Sequence, residues 1–368
     1  MANHRRLRTL AAAALLAASG AACAQAGECV ERGDLRAYPD LGQAATFTAL
    51  EFSPDARLLL GAAHDGRLLL WDFADGRRAL EVWEHRPFRD AVSAPRLAFA
   101  PVGRRFYAAA LQARAPVAYR FDYIQAGGEC AVRRSAYALR DLAEVSAVAV
   151  SPDGTLLAVG GVAVRGADSR RARVELFSAG GDQFLGALEP AGHRFAPRLA
   201  FVRGARDEAL LVVAEDSVLR ASASLRIYDT GSMALRAEIA AAAASGVSAL
   251  GAAPDGGLIV AGYHDGTVAH WRRTGAEPLA YAPESAARDG GGRTIVAAGV
   301  RDAGDGSGPT LYSFDGYTLR IGPAAALTAS WQLTDRYARV AALAPGRPQM
   351  VLAGEGGALA VADAVRGG

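Results

Sequence analysis

The chain contains no lysine; all 40 of its Lys-plus-Arg positions are arginine. That excludes a Schiff-base lysine and leaves every cationic contact to the planar guanidinium, which suits two-point contact with carboxylates. Histidine (6), cysteine (3), methionine (3) and tryptophan (4) are scarce in 368 residues. No Gly-x-Ser-x-Gly elbow occurs, and neither Cys29 nor Cys130 has a histidine near it in sequence. His264 and His270 fall on opposite sides of a hairpin without zinc spacing, and His64 and His264 each precede a turn aspartate, a place for holding a loop. Residues 302–308 are Gly-rich but lack the alternating acids and closing Glu of a calcium loop. No metal, cofactor or catalytic residue is therefore expected.

No apolar run is long enough to cross a bilayer. The first residues instead read as a secretory leader. Arg5, Arg6 and Arg8 precede the short apolar run Leu10 to Ala18, and Ala22-Cys23-Ala24 offers a small-residue cleavage site. The expected division is a cleavable signal peptide over residues 1–24 and a single domain over 25–368, periplasmic or secreted. The alternative is a lipid anchor on Cys23, although Gly20 stands where such a site usually has Leu. Residues 1–24 hold three arginines and no acid, so their removal takes the formal charge from +2 to −1. Nothing in that balance points to nucleic acid.

What is present is a turn that returns. It reads Phe52-Ser53-Pro54-Asp55, Phe99-Ala100-Pro101, Val150-Ser151-Pro152-Asp153-Gly154, Ala253-Pro254-Asp255-Gly256 and Leu343-Ala344-Pro345-Gly346, with a degenerate copy at Phe201-Val202-Arg203-Gly204. From Pro54 the steps are 47, 51, 51, 51 and then 91 residues, the last leaving room for one unit with an eroded turn. Seven units of near-constant length predict a closed repeat array.

Residues 46–82 show one unit's grammar. Residues 46–52 alternate at strand period into Ser53-Pro54-Asp55, and residues 57–62 form a second apolar strand. His64-Asp65-Gly66 supplies a tight hairpin turn before a third strand ending at Trp71-Asp72, and the more polar residues 78–82 make a fourth, outer strand.

This grammar resembles the WD-repeat family of β-propellers. Trp71-Asp72 is a literal WD pair; Phe121-Asp122, Tyr228-Asp229 and Phe314-Asp315 take its place elsewhere, Trp271-Arg272 is a variant, and Ala362-Asp363 is the weakest. Gly192-His193 is similar to the family's Gly-His pair, and Asp65 and Asp265 occupy its turn aspartate. The resemblance covers residues 30–366 and implies an all-β, seven-bladed propeller of four-stranded antiparallel blades. It also implies that an N-terminal strand, residues 30–38, closes the last blade, so that losing residues 27–40 would destabilise the whole ring.

Second-to-third-strand turns and inter-blade connections share one face, in this family a common binding face. The arginines expected there are Arg165, Arg170, Arg171 and Arg173 in unit three, Arg220 in the 215–224 loop of unit four, and Arg114 in unit two; a long loop at 301–309 is expected to do the same in unit six. The connection after unit one adds Trp83, His85 and Arg86. Such an arc suits a carboxylate or acidic peptide. The expected function is a monomeric, non-catalytic scaffold for a protein or peptide. The alternative is a propeller hydrolase or lyase using acids and histidines in the central funnel. Export also raises a Cys29–Cys130 disulfide; the repeat spacing sets the two in outer strands of units separated by a third, which opposes a bridge, and both outcomes stay open.

Overall fold

The recurring turn closes on its own side chains. The Ser53 hydroxyl accepts the Leu58 amide at 2.8 Å and donates to Asp55 at 2.5 Å, and Asp55 accepts the Arg57 amide at 3.0 Å. Ser151 and Asp153 repeat the arrangement, accepting the Leu156 amide at 2.9 Å and the Thr155 amide at 3.1 Å. Each turn thus satisfies the donors that leave the first strand while Pro54 or Pro152 ends the ladder.

The computed structural model describes residues 25–26, 29–34, 46–73, 78–85, 87–88, 95–102, 104–126, 129–165, 169–191, 195–216, 224–288, 292–302, 309–323, 327, 329–334, 337–347, 349–354 and 359–363. Blade 1 runs Phe47–Phe52, Leu58–Ala63, Leu68–Asp72 and Arg78–His85, from the axis outward. The innermost strands of the following blades are Arg96–Phe99, Glu144–Val150, Pro197–Arg203, Val247–Ala252, Ala297–Asp302 and Val340–Leu343. Each contacts the next, and the seventh contacts the first. The chain is an all-β, seven-bladed propeller of mainly four-stranded antiparallel sheets.

The second strand of blade 1 is apolar at every position because a neighbouring blade covers each side: all six residues of Leu58–Ala63 are buried. Gly61 leaves space for the Trp71 ring, since a Cβ there would come within 2.9 Å of it. Gly66 takes a φ of +85° in the Asp65-Gly66 turn, with the Phe88 carbonyl where a side chain would stand.

Ring closure departs from the expectation. The described N-terminal residues, 25–26 and 29–34, do not complete the seventh blade, whose described strands are Val340–Leu343, Gln349–Ala353 and Leu359–Asp363. Cys29–Asp34 pairs instead with the outer strand of blade 1, and Gln25–Ala26 with Glu129–Tyr137, the outer strand of blade 2. Both outer strands offered unpaired edges, and the segment satisfies them. The seam between blades 7 and 1 is held by packing: Phe47, Phe52, Leu59 and Trp71 meet Ala342, Val351 and Leu359. Arg347 also donates to the Phe73 carbonyl at 3.3 Å. Deleting residues 25–34 is therefore expected to preserve a cooperative melt while exposing two edges, read as a modest drop in Tm with new light scattering. Collapse of the whole fold would return closure to this segment.

The same path changes the cysteine geometry. Cys29 lies on the blade 1 sheet, three residues after Ala26, which pairs with Ala131 beside Cys130. No whole blade separates the two. Non-reducing peptide mapping of the mature protein is expected to find a Cys29–Cys130 bridge; two alkylatable thiols would refute it.

Two further elements differ from the sequence reading. In blade 6 the second strand is Pro309–Phe314 and the third Thr318–Pro323, so Asp315 sits in the hairpin turn and not at a third-strand end. It accepts the amides of Tyr317 at 3.0 Å and Thr318 at 2.8 Å, as Asp65 and Asp265 accept the amides of Arg67 and Thr267. The expected 301–309 loop therefore falls between first and second strands and not between second and third; residues 303–308 lie outside the described residues. In blade 3 the supposed long loop is strand: Leu156–Arg165 and Ser169–Ser178 stay paired out to Arg165 and Ser169.

Candidate functional site

The meander brings three features to one face: the starts of the innermost strands, the ends of the second strands, and the hairpin turns after them. Pairing in blades 1 and 5 stops at Ala62–Leu68 and Gly262–Val268, whereas the blade 3 hairpin continues to Arg165–Ser169. Depth along the hairpin then sorts its arginines, those near the tip being exposed and the next one buried. Arg170 is 53% exposed and pairs with Glu144 at 2.8 Å, and Arg171 is exposed.

Arg173 turns inward and is 7% exposed. It reaches Glu175 at 3.1 Å, Asp141 at 2.8 Å and Glu189 at 2.7 Å. Glu175, fully buried, also accepts the amides of Arg140 and Asp141, both at 2.9 Å. This cluster fixes the connection between blades 2 and 3, so Arg173 is a structural tie and not part of the exposed arc.

Arg114 is exposed in a two-residue turn, Ala113-Arg114, with both φ angles positive. Trp83 and His85 lie in the outer strand of blade 1, Trp83 opposite Cys29 on one side and Leu70 on the other, rather than in the connection after it. Arg165 ends the second strand of blade 3. Arg86, Arg220, Gly192 and His193 lie outside the described residues. Of the repeat-motif residues, Trp71, Trp271 and Tyr228 are buried between blades, Asp72 pairs with Arg57 at 3.3 Å, and Asp229 accepts the amides of Gly231 and Ser232.

The seven innermost strands surround an axial cavity of about 500 Å³. Its wall is mostly small or aliphatic, with Ala49, Ala147, Leu199, Leu250, Gly251 and Val300 among the contributors. Three charged side chains interrupt it: Arg96 and Arg198 at the inter-blade end, where their strands begin, and Glu51 toward the other end. Glu51 accepts the Phe99 amide at 3.1 Å; burial pushes its carboxyl up to about 7, against the pull of that hydrogen bond. The Tyr312 hydroxyl is pushed up to about 12 by burial and by the neighbouring Glu51 charge.

At the other end Asp216 receives Arg198 at 2.7 Å and His264 at 2.6 Å. Burial raises its carboxyl, but the His264 hydrogen bond and the Arg198 charge more than offset this and hold it below the usual carboxylate range. His264 thereby ties the blade 5 turn to blade 4. Among the described residues no three His, Cys, Asp or Glu side chains gather to hold a metal, and no helix is long and apolar enough to cross a membrane.

Following the turns missed Arg96, Arg198 and Glu51. A signal for the arginines was there: residues 94–99 and 196–201 both read Ala-Pro-Arg-Leu-Ala-Phe.

The family described as WD domain, G-beta repeat, matches residues 41–72 and 238–272. A search of curated proteins returns no match. The two matched stretches contain the first three strands of blades 1 and 5, where the motif residues are also strongest. The chain is thus a seven-bladed β-propeller with WD40 repeats matched in blades 1 and 5; propellers built of such repeats commonly serve as interaction scaffolds.

Proposed function

We propose that the protein is an exported, non-catalytic scaffold that binds a protein or peptide across the face bearing the inter-blade connections. The observation that carries this reading is the extended blade 3 hairpin, which presents Arg170, Arg171 and the 49%-exposed Val164 beyond the level at which pairing stops in blades 1 and 5. Guanidinium groups beside aliphatic surface are a favoured composition for binding hot spots. Export rests on the leader-like residues 1–24. A monomer with no nucleic-acid partner accords with a closed ring and a formal charge near neutrality.

A hydrolase or lyase would need acids and histidines gathered in the channel. Among the described lining residues Glu51 is the one acid, and no histidine joins it, which supports binding over bond breaking.

Cross-linking capture with the tagged mature protein tests the reading, with an R165A/R170A/R171A variant alongside. Arg173 is left intact because its loss would perturb folding. One reproducible partner is expected with the parent protein and not with the variant, at equal Tm. Equal capture by both would move the binding surface elsewhere.

A further inference from the structure

The hexapeptide shared by blades 2 and 4 sets two arginines in equivalent places, yet only Arg198 is ion-paired with an acid. Arg96 lies opposite Ala109 in the ladder, and Arg198 opposite Ala214. Two residues beyond Ala214 stands Asp216, which holds Arg198; two residues beyond Ala109 stands Leu111. The position that supplies a counter-ion in blade 4 supplies an aliphatic side chain in blade 2.

Arg96 makes no hydrogen bond or ion pair among the described residues, and its Nε is closed off from solvent without a partner. Burial first, and then the nearby Arg198 cation, bring its guanidinium down to about 10, against the smaller opposing pull of Asp216. Both side chains line the same cavity. A cation held this way is stabilised by an anion that enters with it. Asp216 cancels one of the two charges, which leaves a net charge suited to one carboxylate rather than a dianionic phosphate. Below the arginines the wall is aliphatic, formed by Leu97, Val148, Leu199 and Leu250.

We propose that the inter-blade end of the channel binds an organic carboxylate with an aliphatic body, its carboxylate held between Arg96 and Arg198 and its chain laid along these leucines and valine. The cavity volume is in the range of small-molecule sites. The site does not depend on the hairpin arginines, so it stands whether or not that face binds a protein. The carboxylate could belong to a free acid or to the C-terminus of a peptide.

Calorimetric titration of the mature protein with octanoate, octanamide and the tripeptide Ala-Ala-Leu as free acid and as amide tests both sources. At least one acid is expected to bind about tenfold or more tightly than its amide, because the amide cannot engage the two guanidiniums as an anion. The tighter acid identifies the source. The R96M variant is expected to lose about tenfold in that affinity. Equal binding of acid and amide, no binding of any of the four at about 5 mM, or unchanged affinity in a folded R96M variant would overturn the site. The acid–amide comparison uses the parent protein and stands even if R96M fails to fold.

Discussion

Arg173→Ala is expected to destabilise the protein by about 3–5 kcal/mol in urea denaturation, while Arg171→Ala, two residues away, changes stability by about 0.5 kcal/mol or less. The two arginines share a strand and a sequence context, and only their surroundings separate them. Arg171 is exposed. Arg173 sits against the fully buried Glu175 and reaches Asp141 and Glu189 as well. Removing it leaves a buried carboxylate without its cation, which costs more than the pair itself contributed. Lysine at 173 is expected to recover part of the loss, because an ammonium cannot aim three separate N–H groups along the directions that a guanidinium fork supplies. A loss below about 1 kcal/mol for the alanine variant would mean that the amides of Arg140 and Asp141 alone satisfy Glu175.

Glu51→Gln is expected to stabilise the protein at pH 8 and to leave it unchanged at pH 4. In the folded state the Glu51 carboxyl keeps its proton up to about pH 7. In the unfolded chain it gives that proton up near its ordinary value of 4.5. Stability is therefore full below pH 4.5, falls as pH rises toward 7, and levels off above it. Glutamine has no proton to lose and can still accept the Phe99 amide, so the fall should vanish. The gain at pH 8 is at most about 3 kcal/mol, less to the extent that channel water solvates the carboxylate. Thermal melts of both proteins from pH 4 to 8 check this. Parallel curves for the two would show that Glu51 titrates as it does in water.

The architecture could be read from the chain because its punctuation is local. Ser53, Pro54 and Asp55 make their turn with bonds that span at most five residues, and the same spacing brings it back around the ring. Blade 6 was misread for the same reason. With its first turn eroded, Phe314-Asp315 resembled a strand end, and only pairing with residues 297–302 shows it to be a hairpin turn. Arg171 and Arg173 share one face of their strand, and their fates depend on depth below the hairpin tip and on acids from residues 141 and 189, separations that no motif encodes. The N-terminal segment could have satisfied either of two kinds of open edge, in the last blade or the first. Its residues alone do not choose between them.

With no strand shared across the closure among the described residues, blades 3 to 7 and the four inner strands of blade 2 are each written as one uninterrupted stretch of sequence. Where a sheet is stitched from both termini, copying or deleting a stretch of gene must cut that sheet. Here a duplication between two inter-blade connections would deliver a complete folding unit with its own turns, ready to slot into the circle. The identical hexapeptides at 94–99 and 196–201 are what such copying would leave behind. After duplication, a single acid-to-aliphatic difference beside one copy is enough to turn a structural cation into a receptive one.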